Sequence, residues 1–170
     1  GRTGGGDAWA LGKSEGENAP WWGGVAATDR IVRSAQVPVT ADIEAGYGVT
    51  PAEVGAHVAE IIQAGVVGIN LEDGLHGPIR SIEDATARLR AAREAANKEG
   101  VPVVLNARCD IFKLQHGEES TRFASTVQRC NAYLAAGADC VYPLGLRQPR
   151  TTASFDQACG GPATIPGVPH

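Results

Sequence analysis

The chain has 170 residues, 43% of them hydrophobic, 20% charged and 5% aromatic, with a formal net charge of −4. That is enough chain for a real core, in an ordinary globular composition. Lys and Arg are scattered rather than striped, which argues against a nucleic-acid footprint; no apolar run approaches the ~20 residues of a membrane span, and no signal-peptide pattern opens the chain.

The first stretch, from Gly1 to Trp22, is Gly-rich and reads as loop with at most one helical turn. Trp21 and Trp22 are adjacent, so only one of them is expected to face a core. A short helix is expected over Gly24–Ser34. Val37 to Ile43 is a β-branched run and reads as a buried strand. After the Gly46-Tyr47-Gly48 loop, Thr50-Pro51-Ala52-Glu53 is a capping-box start with Pro at the first helical position. Val54, Val58, Ile61 and Ile62 then share one helical face, and Gly65 stops the helix. Val66 to Leu71 is a second strand, ending in Glu72-Asp73-Gly74. Ser81-Ile82-Glu83-Asp84 is a further capping-box candidate, followed by an apolar stripe of Ile82, Ala85, Leu89, Ala92 and Ala96. Val101 to Ala107 is a third strand. A helix over Thr121–Ala136, a strand over Ala138–Tyr142 and a weak helix over Thr151–Ala158 follow. Pro162 to Pro166 reads as the start of one more strand.

The order is thus β-α repeated, which implies a parallel sheet with helices outside it. The strands read as near-continuous apolar runs, the pattern of strands buried on both faces. Ala64-Gly65 and Ala136-Gly137 each close a helix before a strand; Val37-Pro38-Val39 and Val101-Pro102-Val103 each open one. This echo fits a barrel somewhat better than an open sheet.

The four cysteines form no CxxC pair and no zinc-spaced Cys/His cluster, so reduced thiols in a cytosolic protein are the simplest reading. Cys140 lies in an apolar strand and is expected in the core.

In parallel α/β folds chemistry collects at the C-terminal ends of the strands. There the first strand delivers Asp42 and Glu44, the second Glu72 and Asp73, and the third Asn106, Arg108 and Asp110. Carboxylate oxygens suit Mg²⁺, and an Arg can grip a substrate carboxylate bidentately. The residues alone leave an alternative open: such acids also cap helices or face solvent. Asp73 reads as a loop or cap residue, and Arg108 could simply pair with a buried acid.

Four segments carry a resemblance, in order. They are Asp42-Ile43-Glu44-Ala45-Gly46-Tyr47-Gly48, Gly68-Ile69-Asn70-Leu71-Glu72-Asp73, Asn106-Ala107-Arg108-Cys109-Asp110, and Ala132-Tyr133-Leu134-Ala135-Ala136-Gly137-Ala138-Asp139. Together they resemble the isocitrate lyase/phosphoenolpyruvate mutase superfamily, with Cys109 where Thr is usual. The resemblance implies a (β/α)8 TIM-type barrel, incomplete as given and forming one partial domain over 1–170. It implies that Asp42 bonds Mg²⁺ (or Mn²⁺) directly, while Glu44, Glu72 and, from the Leu11-Gly12-Lys13-Ser14-Glu15 segment, Glu15 act around it. Thr3, Gly4, Gly5, Asn106 and Arg108 would bind the substrate, with Tyr47 beside its oxo group and Arg108, Tyr47 and Glu72 as the catalytic set. The implied chemistry is a lyase or hydrolase cleaving a C–C or P–C bond of a small 2-oxo acid, through an enolate held on the metal. A cytoplasmic homo-oligomer is implied, tetrameric in complete members.

Two departures qualify the resemblance. The lyases' Lys-Lys-Cys-Gly-His loop is replaced by Gly74-Leu75-His76-Gly77-Pro78-Ile79-Arg80, and the long gate of the P–C mutases is lacking too. His76 and Arg80 are candidates in that loop, but the acid/base stays unassigned. The length falls short of the about 250 residues of a full barrel. Two further readings therefore stand beside the first: a truncated, catalytically inactive member, and a ketopantoate-type hydroxymethyl transfer.

Overall fold

The computed structural model describes residue 17, residues 20–74 and residues 78–165. Helix α1 (Trp21–Ser34) leads into strand β1 (Thr40–Asp42), α2 (Pro51–Gln63), β2 (Gly68–Glu72), α3 (Ile82–Glu99), β3 (Val104–Cys109), α4 (Glu119–Ala135), β4 (Cys140–Pro143) and α5 (Pro149–Ala158). All four strands are parallel, in the order β1-β2-β3-β4. A parallel bridge between Val141 and Ala163 opens a further pairing, where the sequence suggested one. This is the alternating architecture of an incomplete (β/α) barrel.

The helix starts follow local chemistry. Thr50 accepts from the Glu53 amide and the Glu53 carboxylate accepts from the Thr50 amide, so the first capping box is complete. The second is half made. Ser81 accepts from the Asp84 amide, while the Asp84 carboxylate turns to Arg80 and Arg88. Val54, Val58, Ile61 and Ile62 are all buried, as their spacing predicts. Of the two tryptophans, Trp21 packs against the core and Trp22 is exposed.

Strand β1 is shorter than the apolar run suggested. Pro38 has no N–H to give to a ladder, Val37 is exposed, and pairing begins at the Val39 carbonyl, which accepts from Val67.

The strands also differ from the expectation of burial on both faces. Ala41, Ile69, Leu71, Leu105, Ala107, Cys109 and Val141 are buried and belong to the core cluster shared with the helices. The alternate residues Thr40, Asp42, Asn70, Glu72, Asn106, Arg108, Cys140 and Tyr142 lie on the opposite face, and most keep some exposure. That alternation is a period of two, polar on one side. Cys140, expected in the core, belongs to this polar face; its thiol donates to Asn106 Oδ1 at 3.2 Å.

Candidate active site at the strand ends

The polar face is organised in rows by the strand register. Asp42 pairs with Asn70, Asn70 with Asn106, and Asn106 with Cys140. Asn106 Nδ2 donates to Asn70 Oδ1 at 3.0 Å, so the row is hydrogen-bonded across the sheet. One step toward the C-terminal ends, Glu72 pairs with Arg108 and Arg108 with Tyr142. Glu44 sits beside this second row, because its carbonyl accepts the Glu72 amide at 2.9 Å. Asp42, Glu44, Glu72 and Arg108 therefore converge at one end of one sheet.

The loop after β1 is built under tension. Glu44 and Tyr47 both adopt positive φ, 51° and 57°, which non-glycine residues rarely do. Gly46, at φ 97°, is needed outright: a Cβ there would lie 2.8 Å from Val54 Cγ1. Several contacts hold the conformation. His57 Nδ1 lies 2.9 Å from the Gly46 carbonyl, and its ring stacks on Trp21 at 4.7 Å. Arg88, almost wholly buried on α3, donates to the carbonyls of Gly48 at 2.8 Å and Val49 at 2.6 Å. The result aims the Glu44 carboxylate at the Tyr47 hydroxyl, which donates to it at 2.9 Å, and at the Glu17 amide, which donates at 2.6 Å.

Glu72 and Arg108 form an ion pair. Burial pushes the Glu72 carboxyl up to about 8, against the pull of Arg108, with Asp110 and Asp42 adding repulsion. Arg108 is shared: its Nε and Nη2 also donate to the two oxygens of Asp110, at 2.7 and 2.9 Å. Three acids, Asp42, Glu72 and Asp110, thus act on one guanidinium. With Lys113 Nζ 3.5 Å from Asp110, three carboxyls face two cations.

Asp73 stands at the bend just past β2, as the sequence suggests, but it does not face solvent. It is buried, and burial pushes its carboxyl up. It accepts from the Tyr133 hydroxyl at 2.5 Å, the Asp110 amide at 2.8 Å and Arg129 Nη1 at 3.4 Å. It ties the ends of β2 and β3 to α4.

Among the described residues, no three His, Cys, Asp or Glu side chains are grouped so as to hold a metal ion. The predicted ligands turn to protein donors instead: Asp42 to the Glu44 amide at 3.0 Å, Glu44 to Tyr47 and Glu17, and Glu72 to Arg108. The donor set still suits a hard cation. It is all oxygen, and it comes from adjacent strand ends. Thr3, Gly4, Gly5, Glu15 and His76 lie outside the described residues. Arg80 is engaged with Asp84 at 3.0 Å.

Sequence reasoning missed Glu17, Arg88 and the role of Asp110. Arg88 left a signal, since it falls between Ala85, Leu89 and Ala92 on the apolar stripe of α3. A charge on such a stripe is normally matched by buried acceptors.

Comparison with known proteins bears on the family and the fold. The family model described as phosphoenolpyruvate phosphomutase matches residues 1–168. The chain belongs to that family. A provisionally named phosphonomutase from Burkholderia cenocepacia J2315 is 38% identical, with a TM-score of 0.89 over 96% of this chain and 68% of its own. The structure of oxaloacetate acetylhydrolase with its product oxalate is 27% identical, with a TM-score of 0.82 over 96% of this chain and 57% of that one. The oxaloacetate decarboxylase of Pseudomonas entomophila (strain L48) is 29% identical over 136 residues, which are 75% of this chain and 42% of the decarboxylase. The chain spans less than half the length of the curated relatives it matches. No described helix is long and apolar enough to cross a membrane.

Proposed function

We propose that this phosphoenolpyruvate phosphomutase relative carries the metal-and-carboxylate part of a site that cleaves a bond next to the oxo group of a small 2-oxo acid. The observation that carries this reading is the convergence of Asp42, Glu44, Glu72 and Arg108 at one end of three adjacent parallel strands. Asp42 would bond Mg²⁺, with Glu44 and Glu72 holding its water and Glu15 contributing from outside. When bound, the cation supplies positive charge against the negative charge that develops as the bond breaks. Arg108 binds and orients the substrate carboxylate, and Asn106 holds the row beneath it. Tyr47 presents its hydroxyl at the oxo end, steered by Glu44. An oxaloacetate- or phosphonopyruvate-like acid fits the reading, supported by the likeness to an oxaloacetate acetylhydrolase that binds oxalate.

Calorimetric titration with oxalate tests this. Oxalate mimics the planar enolate of pyruvate. Binding is expected with Mg²⁺, to vanish with excess EDTA, and to vanish in Asp42→Ala while the melting profile stays cooperative. Equal binding with and without Mg²⁺, or an unchanged Asp42→Ala, would remove the assignment. A folded chain that binds nothing would favour the inactive reading. The homo-oligomer expected from the resemblance is a separate proposal, decided by light scattering.

A further inference from the structure

The geometry points to Asp110 as the positioning residue for Arg108, set in place by Asp73 and by the absence of a side chain at Gly74. The inference rests on the reading of Arg108 as the substrate-carboxylate contact.

An arginine side chain offers five N–H donors in a rigid fork, so fixing one edge of the fork fixes where the other edge points. Asp110 takes one edge completely, Oδ1 from Nε at 2.7 Å and Oδ2 from Nη2 at 2.9 Å. Nη2 is also ion-paired with Glu72, and no hydrogen bond from Nη1 is seen among the described residues. The edge left for a ligand is the one toward Nη1.

Asp110 is itself held. It is 1% exposed, and its other cation is Lys113, whose Nζ lies 3.5 Å away. Its backbone amide donates to Asp73 Oδ1 at 2.8 Å. Asp73 in turn is clamped by the Tyr133 hydroxyl and Arg129, and its own amide donates to the Arg108 carbonyl at 3.2 Å. A closed circuit therefore runs from Arg108 through Asp110 and Asp73 back to the Arg108 backbone. Gly74 gives the circuit room: a Cβ there would sit 2.6 Å from Asp110 Oδ2. Any side chain at 74 would push the carboxylate off the guanidinium.

Two readouts test this on the whole chain. In ¹⁵N-arginine-labelled protein, the Arg108 Nε–H should exchange slowly with solvent. Asp110→Asn, which keeps the shape but leaves one neutral acceptor in place of the bidentate carboxylate, should speed that exchange about tenfold, the factor that separates a charge-assisted hydrogen bond from a neutral one. Gly74→Ala, which leaves the carboxylate but displaces it, should move exchange the same way, and it serves if Asp110→Asn fails to fold. Oxalate binding with Mg²⁺ supplies the second readout. Asp110→Asn should weaken it about tenfold in the wild type and less than about twofold in an Arg108→Lys background, because a residue that acts through Arg108 has nothing to act on once it is gone. Equal losses in both backgrounds, or unchanged Nε–H exchange in Asp110→Asn or in Gly74→Ala, would overturn the inference. If the wild type binds no oxalate, the proposed function fails, and the exchange experiment alone still decides the role of Asp110.

Discussion

The two faces of the four-stranded sheet are made of the same strands and obey different rules. The helix-facing side is Ala41, Ile69, Leu71, Leu105, Ala107, Cys109 and Val141, packed against Val54, Val58, Ile61 and Leu89. The other side carries Asp42, Asn70, Glu72, Asn106, Arg108 and Tyr142 in cross-strand rows. One face holds the chain together by removing apolar area from water, at about 1.5–3 kcal/mol per large side chain. The other stores polar groups that satisfy each other while leaving a surplus of carboxyls. Stability and chemistry are therefore separable by single substitutions, face by face.

The largest test of that separation is Ile61→Ala. Ile61 is fully buried on α2, and the substitution should cost about 2–5 kcal/mol of unfolding free energy by transfer and cavity terms. Denaturant unfolding measures it, while oxalate affinity below the transition should stay put. A smaller loss of stability is expected of Asn106→Ala, which breaks its bonds to Asn70 and Cys140 on the polar face. It should cost only about 0.5–1.5 kcal/mol of stability yet weaken oxalate binding clearly. If Asn106→Ala melts the chain as Ile61→Ala does, the two faces are not separate. The smallest effect is a pH one. Burial pushes the Asp84 carboxyl up, but the Arg88 and Arg80 guanidiniums outweigh it and hold it below the usual carboxylate range. The folded value is the lower one, so this contribution is present above the ordinary Asp range and is lost as pH falls through the folded value. For a partly exposed pair spaced by four residues it is roughly 0.3–0.5 kcal/mol. Comparing acid unfolding of the wild type with Asp84→Asn should show that difference at neutral pH and none at the acid end.

The helix-facing side was the legible one. Period-3.6 stripes, Thr50 and Ser81 as caps, and the β-branched runs mark the described helices and strands, with β1 and β3 starting later than their apolar runs, because each rests on local propensity and burial. The polar face was legible only in part. Asp42, Glu44, Glu72 and Arg108 stand out as polar residues ending apolar runs, and the motif resemblance grouped them. What escaped was how they are held. Asp73 is a loop residue as expected, but nothing local marks that it will be buried against Tyr133 and Arg129, 60 and 56 residues away. Cys140 looked like core because a four-residue strand is too short to display its alternation. Arg88 is marked only by its place on the apolar stripe of α3, because its partners are the carbonyls of Gly48 and Val49, about 40 residues earlier. Long-range polar pairing leaves no periodic trace, whereas apolar packing does.

The central claim, that the strand ends of the polar face hold a divalent cation, is tested most directly by adding Mn²⁺ to ¹⁵N-labelled protein and following amide signals. Paramagnetic broadening is predicted to be strongest at Asp42, Glu44, Glu72 and Arg108, reversed by excess Mg²⁺, and weakest at the C-terminal ends of α2 and α3. Broadening centred elsewhere on the surface, or none at all in a folded sample, would contradict the account.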